Sequence, residues 1–509
     1  MIIKEKSHIV KKSGRLFQNF RVHFPARNKK GFACILILSC GPGKYTVIIE
    51  QRKKQKTNHK SARRGIKNNY KKERRITKMA MTSRERIIAT INHQTPDRIP
   101  IDLGATGQTG ISVCALTRLR DYLGLPKKDI DVFEIIQMLG VVDEDLRQVI
   151  KSDVIGLNHP EDSMGVKNNG QKKKFTMPDG TECFINAGNE VDYMPDGSIY
   201  MYPQGDRTAP PSVKMPEGGY FFDIIDRAPE LDPDIDEDDL TPREDFENFF
   251  SVMDDETADY YAKESKRLYE ETDYAIIGNL AGAGFGDPGA IPAAFEKYPK
   301  GIRNFQDWCM AQILYPDYIK EVFEMQTEYM LKNLEIYKQA VGDRIQICWI
   351  SGTDFGTQTA AFMSQEMFRD LYKPYYKRVT DWIHQNTSWK TYIHTCGSIV
   401  TLLDDIVEMG IDIVNPVQLS AVGMDAQMLK DKYGDKLVFW GGGCDTQHTL
   451  PAGTPDEVRE EVLSRLPILE QGGGYVFDAI HNIVGDTKPE NIWAAFKAVH
   501  DYNAKYHGA

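Results

Sequence analysis

The chain has 509 residues, 41% of them hydrophobic, so it can bury a large core; its formal net charge is −10 at pH 7. The charge is split unevenly: residues 1–78 hold 23 Lys and Arg against 3 Asp and Glu, a net of +20, whereas residues 79–509 carry a net of −30. Beyond residue 78 no segment is long and apolar enough to span a bilayer, and the eight scattered cysteines show no framework spacing; a membrane-embedded or disulfide-stapled body is excluded, and an acidic cytoplasmic protein is expected.

The basic segment comes first in the chain. Clusters such as Arg52-Lys53-Lys54 and Lys71-Lys72-Glu73-Arg74-Arg75, without a helical or strand period, read as a disordered arm over residues 1–78. Such charge also suits a nucleic-acid or membrane tail. The apolar stretch Phe32 to Cys40, ending Leu38-Ser39-Cys40, faintly resembles a lipoprotein signal, although it lies deep in the chain. The favoured reading is a start annotated too far upstream, with a working protein that begins at Met79 or Met81, because Thr82-Ser83-Arg84-Glu85-Arg86 looks like a capped helix start.

Two strand-like runs follow, Arg98 to Leu103 and Asp153 to Leu157. Between Lys172 and Met201, Asp179-Gly180 and Asp196-Gly197 mark hairpin turns, and a Pro-rich then acidic loop continues to about Glu247. This region, about 165–247, reads as an inserted β-ribbon and lid. From Tyr274 onward short apolar runs alternate with amphipathic stretches, the mark of parallel β/α units. The runs are Tyr274 to Gly278, Arg344 to Ile350, Trp389 to Ile393, Ile411 to Val414, Lys436 to Trp440 and Gly474 to Phe477. Helices are expected over Asp317 to Ala340, with Ile319, Val322, Phe323, Met330, Leu334 and Tyr337 on one face, over Thr454 to Leu469 and over Pro489 to Tyr502. Eight strands predict a closed (β/α)₈ TIM barrel spanning residues 79–509.

Barrel chemistry sits at the C-terminal ends of the strands. Those positions hold Asn279, Asp354, Gln358, His394, Cys396, Asn415, Gln418, Cys444, Asp445 and His481. Residues two apart on an extended segment point the same way, so His394 and Cys396 aim at one spot, and Cys444 on its Gly-rich turn can complete a three-ligand zinc site with an open fourth position. Asp354 can serve as general acid or substrate anchor, or simply cap the next turn. His481 can be a ligand, an acid or a hydrogen-bonded pocket residue. The Gly-rich stretch Ala281 to Gly289 lacks the dinucleotide-binding spacing, so no NAD is expected.

Five segments carry a resemblance: PDRIPIDLG at 96–104, IHTCGS at 393–398, VNPVQ at 414–418, FWGGGCDTQ at 439–447 and GGGYVFDAIHNIVG at 472–485 with Pro489-Glu490-Asn491. The body, from about Thr82 to His507, resembles the uroporphyrinogen decarboxylase superfamily, which includes zinc-dependent corrinoid methyltransferases. The decarboxylases carry an N-terminal Arg-Gln-Ala-Gly-Arg signature that holds substrate carboxylates. Here Ile101-Asp102-Leu103-Gly104-Ala105-Thr106-Gly107 stands in its place without a cation. The methyltransferase branch binds zinc through His-x-Cys, matched by His394 and Cys396, plus a distal Cys at the strand end that here reads Asp478 to His481. No Cys lies there, and Cys444, one strand earlier, is taken as the replacement.

The resemblance implies an enzyme, a zinc-dependent O-demethylase-type methyltransferase. It would move a methyl group from a small methylated substrate, most plausibly an aryl methyl ether, to the Co(I) of a separate corrinoid protein, since no corrinoid-binding Asp-x-His-x-x-Gly segment occurs in the chain. His394, Cys396 and Cys444 would hold the metal; Asp354, Asp445 and His481 would supply proton transfer or orientation; and Asn279, Gln358, Asn415 and Gln418 would bind substrate. A decarboxylase of another acid and a non-enzymatic zinc scaffold are the rivals. No membrane partner is expected, and a nucleic-acid partner is disfavoured.

Overall fold

The computed structural model describes residues 80–509 apart from 233–234 and 281, together with the strands Ala33–Cys40 and Gly43–Glu50. The chain divides into two compact units, Met1–Met79 and Ala80–Ala509. In the first, the two strands pair antiparallel, with Ala33 opposite Glu50 and Cys40 opposite Gly43. No strand was expected there. The apolar run Ala33–Cys40 gains Gly43–Glu50 as its partner, a pairing that inspection of each run alone does not reveal. The remainder of the expected disordered arm lies outside the described residues.

In the second unit, seven parallel strands stand side by side in chain order: β1 (Val154–Leu157), β2 (Ala275–Asn279), β3 (Ile347–Ser351), β4 (Lys390–His394), β5 (Ile413–Asn415), β6 (Val438–Trp440) and β7 (Tyr475–Val476). A short eighth segment joins the two edges. Asp102 N donates to Phe477 O at 2.9 Å, Phe477 N to Pro100 O at 2.9 Å, and Asp153 N to Ile101 O at 2.8 Å, so the curled sheet closes as a TIM barrel. The seven strands and the closing segment coincide with the expected runs, four of the strands continuing one residue further, to Asn279, Ser351, His394 and Asn415.

The barrel's interior is an apolar layer that includes Val154, Ile277, Ile347, Tyr392, Ile413, Val438, Trp440 and Val476, and Ile87 and Ile91 of the helix Ser83–Ile91 pack into it. That helix begins with the expected capping box, Thr82 bonding reciprocally with Glu85. Alternation along β4 buries Tyr392 in the interior layer and aims His394, two residues on, inward at the C-terminal end of the strand. The helix read at 317–340 runs Pro316–Val341; Pro455–Leu469 has its capping box at Thr454 and Glu457; the last helix, Pro489–Tyr506, continues four residues beyond its expected end.

The insertion holds the hairpin Lys172–Thr176 with Glu182–Asn186, and a four-stranded antiparallel sheet ending at Ile224. Both Asp-Gly turns form, with Gly180 at φ +86° and Gly197 at φ +80°, values that glycine adopts without steric cost.

Candidate active site

The loop after β4 brings the first two donors together. Cys396 Sγ lies 3.3 Å from His394 Nε2. Thr395, between them, is pinned by Thr395 N donating to Asn415 O (2.7 Å) and Phe355 N donating to Thr395 Oγ1 (2.9 Å). Gly397, at φ +90°, lies so close to the neighbouring loop that a Cβ would stand 2.3 Å from Gly356 O; no other residue fits without moving the backbone. Gly397 N donates to Gln418 Oε1 at 2.7 Å, and Cys396 N to Asp354 Oδ1 at 2.7 Å.

The third donor is His481, from the loop after β7. His394, Cys396 and His481 each offer a ligand atom, and the three atoms lie within 4.8 Å of one another. The two imidazole rings stand 5.0 Å apart, at 75°. Each is oriented by an asparagine. His394 Nδ1 pairs with Asn415 Oδ1 at 2.6 Å, and Asn415 Nδ2 donates onward to Trp440 O at 3.1 Å. His481 Nδ1 pairs with Asn482 Oδ1 at 2.8 Å, and Asn482 Nδ2 donates to Gln137 Oε1. Because each amide nitrogen is spent as a donor elsewhere, each amide oxygen must accept from Nδ1–H, which leaves both Nε2 lone pairs free. Burial, then the neighbouring His481, lowers the His394 pKa to about 4, keeping it neutral, the form that ligates. Burial pushes the Cys396 thiol well above its usual value, and the nearby Asp354 adds to that.

One thiol and two oriented imidazoles, with Sγ and Nε2 at the spacing of adjacent tetrahedral ligands, fit a zinc ion with an open fourth position. Cys444, the expected third ligand, is not one of these three donors. Its fully buried Sγ donates to Glu461 Oε2 at 3.4 Å, beneath the turn that Gly443 packs against Phe477. Asp445 is likewise occupied elsewhere. Burial would raise its carboxyl, but Gln447 N (2.7 Å) and His448 N (2.9 Å) donate to it and hold its pKa below the usual value.

Asp354, Gln358 and Gln418 share with Cys396 and His481 a cavity of about 500 Å³. Gln358 Nε2 donates to Gln447 Oε1 at 2.8 Å. Asp354 and His481 also line an adjoining cavity of about 450 Å³ together with His394, Gln108, Glu134 and Asp287. Asn279 lines a third, which shares Gln108, Glu134 and Gln137 with the second; its Nδ2 donates to Asn158 Oδ1 at 2.6 Å while its Oδ1 has no partner.

Asp287, Glu134, Gln108 and Gln137 were missed by strand-end reasoning. Asp287 stands inside the Gly-rich stretch of residues 281–289, read from the sequence as a loop that lets substrate approach the backbone, and the other three belong to segments between the closing strand and β1. Burial and then nearby Asp354 raise the Asp287 carboxyl to about 6, against hydrogen bonds from Gly289 and Ala290 N–H. No Lys or Arg lines any of these three cavities among the described residues.

The pattern of the family described as "Uroporphyrinogen decarboxylase (URO-D)" matches residues 238–502. The uroporphyrinogen decarboxylase of Pseudoalteromonas translucida is 32% identical over 112 residues, 21% of this chain and 31% of the relative. That of Pelodictyon phaeoclathratiforme is 27% identical over 187 residues, 36% and 47% of the two chains. The chain thus spans about a third to a half of the length of these relatives. A solved methyltransferase from Methanosarcina mazei superposes with a TM-score of 0.47 at 15% identity, covering 83% of this chain and 99% of that one. With the family pattern covering more than half of its length, from the end of the lid through the last helix, the chain belongs to the uroporphyrinogen decarboxylase family.

Proposed function

We propose that this family member is a zinc-dependent methyltransferase that takes a methyl group from a small methylated donor, an aryl methyl ether, and delivers it to the Co(I) of a corrinoid held by a separate protein. The observation that supports this reading is the His394–Cys396–His481 donor set, which opens onto cavities bordered by Glu134, Asp287 and Asp354 and by no cation among the described residues. A porphyrinogen with several carboxylates would find no Lys or Arg along these cavities to pair its acidic arms, and Glu134, Asp287 and Asp354 would oppose them. The decarboxylation in the relatives' names is therefore the less favoured chemistry.

A zinc ion on these three residues would supply Lewis acidity toward the donor's oxygen. The residues supply the rest. Asn415 and Asn482 fix the two imidazoles, so little reorganisation is needed when substrate arrives. Asp354 holds the loop carrying Cys396 through its backbone N–H. Asp287, whose raised carboxyl keeps its proton to about pH 6, would protonate the departing phenolate. The test is methyl transfer from 2-methoxyphenol to free cob(I)alamin, followed by the cobalt absorbance, with metal content measured on the same sample. Protein that holds no zinc, or that transfers no methyl group when zinc-loaded, would overturn the proposal.

A further inference from the structure

The loop leaving β1 carries Asn158, His159, Glu161 and Asp162 to the end of the barrel where the metal donors lie. These residues border a cavity of about 280 Å³, and Gln108, Glu134, Gln137 and Ser163 border both it and the cavity of about 450 Å³ that His394 and His481 line. A ligand at the donors therefore has room to extend toward the β1 loop. Four carboxylates of these walls are spent within the chain. Glu134 accepts from Gln137 N at 2.6 Å and Asp162 from Asn189 Nδ2 at 2.7 Å, while Asp287 accepts from Gly289 N at 2.8 Å and Asp354 from Cys396 N at 2.7 Å. Glu161 differs: its half-buried carboxylate makes no hydrogen bond or ion pair among the described residues. Burial and then Asp162 raise its pKa, against the pull of Lys167. Lys167 itself is held by Glu256 at 2.8 Å and Asp254 at 3.3 Å. Nor does His159 supply a positive charge, since Glu161 N donates to its Nδ1 at 3.0 Å and burial lowers its pKa.

We infer that Glu161 anchors an organic ammonium group at the far end of the ligand that reaches the metal donors. A carboxylate withdrawn from water and left without a partner favours a cation that brings its own hydrogen-bond donors. A metal ion fits less well, because among the described residues the side chains whose donor atoms converge are His394, Cys396 and His481, not the carboxylates. A neutral or anionic end would leave Glu161 unpaired or opposed. Phe133 and Trp349 border the same cavity and give aromatic surface for the stem beside the charge. Glu161 thus selects the ligand and takes no part in the transfer. The inference deepens the proposed function by placing a positive charge on the methyl donor, away from the methyl group, and it rests on that reading only for the transfer that follows binding.

Phenethylamine, 2-phenylethanol and 3-phenylpropanoate differ at one end and carry no methyl group to transfer. Each is titrated into the full chain at about pH 7, where the amine is protonated, with binding followed by ligand-observed NMR. Phenethylamine should bind saturably and about tenfold tighter than the neutral alcohol, the worth of a hydrogen bond to a charged group, with the propanoate weakest. Glu161→Gln keeps the shape and removes the charge; it should erase most of that preference and leave the alcohol's affinity unchanged. Should the variant not fold, the order of the three ligands in the parent protein decides. Absent amine binding, alcohol binding as tight as the amine, or a preference kept in folded Glu161→Gln would overturn the assignment. No corrinoid enters the titration, and zinc content, measured on the same samples, should be equal in parent and variant, so failure of this anchor and failure of methyl transfer are read apart.

Discussion

The choice between His481 and Cys444 as third ligand is decided by paired substitutions. Structural zinc in four-ligand peptides binds with about 10–16 kcal/mol, or about 3 kcal/mol per ligand, so His481→Ala should weaken zinc binding by over about a hundredfold. In Cys444→Ser the new hydroxyl can still donate to Glu461 Oε2, the partner that Sγ now reaches at 3.4 Å. That change should cost about 1–2 kcal/mol of stability for the altered burial and leave zinc affinity unchanged. Competition against a chromophoric chelator gives both affinities, and denaturant melts separate ligand loss from unfolding. The reasoning fails if Cys444→Ser releases the metal from folded protein while His481→Ala keeps it. That result would mean that the β6 turn rearranges to place its thiol at the site.

Asn415→Ala leaves the His394 Nδ1–H and the Trp440 carbonyl unpartnered; zinc affinity should fall about 10–100-fold, with a stability loss of about 2–5 kcal/mol, read by the same titration and melts. Burial raises the Asp102 carboxyl to about 6, despite hydrogen bonds that include one from Trp440 Nε1 at 3.0 Å. Its stabilising contribution is therefore full below the unfolded value near 3.8 and is lost as pH rises through about 6, a swing of about 3 kcal/mol. Asp102→Asn removes that swing, so the stability of the variant relative to the parent should rise by up to this amount between pH 4 and 7, and parallel pH profiles would refute it. Residues 80–509 form a compact unit of their own; the truncated chain should melt at the parent's temperature, and a drop of several degrees would show that the first unit contributes.

The eight barrel strands, the Asp-Gly turns and the capped helices at Thr82 and Thr454 were legible in the sequence because each depends on short-range causes: alternation, φ > 0 at glycine and side-chain capping. His394 and Cys396 were legible for the same reason, since two residues of extended chain decide that they point together. Their third partner was not. His481 and Cys444 both follow barrel strands, and which one comes beside His394 and Cys396 depends on how Gly443 seats against Phe477 and how Gln137 holds the Asn482 that turns the imidazole, contacts made across separate loops. The walls of the cavities were hidden likewise. Asp287, Glu134 and Gln137 come from segments without a strand period, and only closure of the barrel, with the lid folded over it, sets them opposite the donors. Sequence carries what neighbouring residues impose on one another; the composition of a cavity is a sum over distant loops, and only packing performs it.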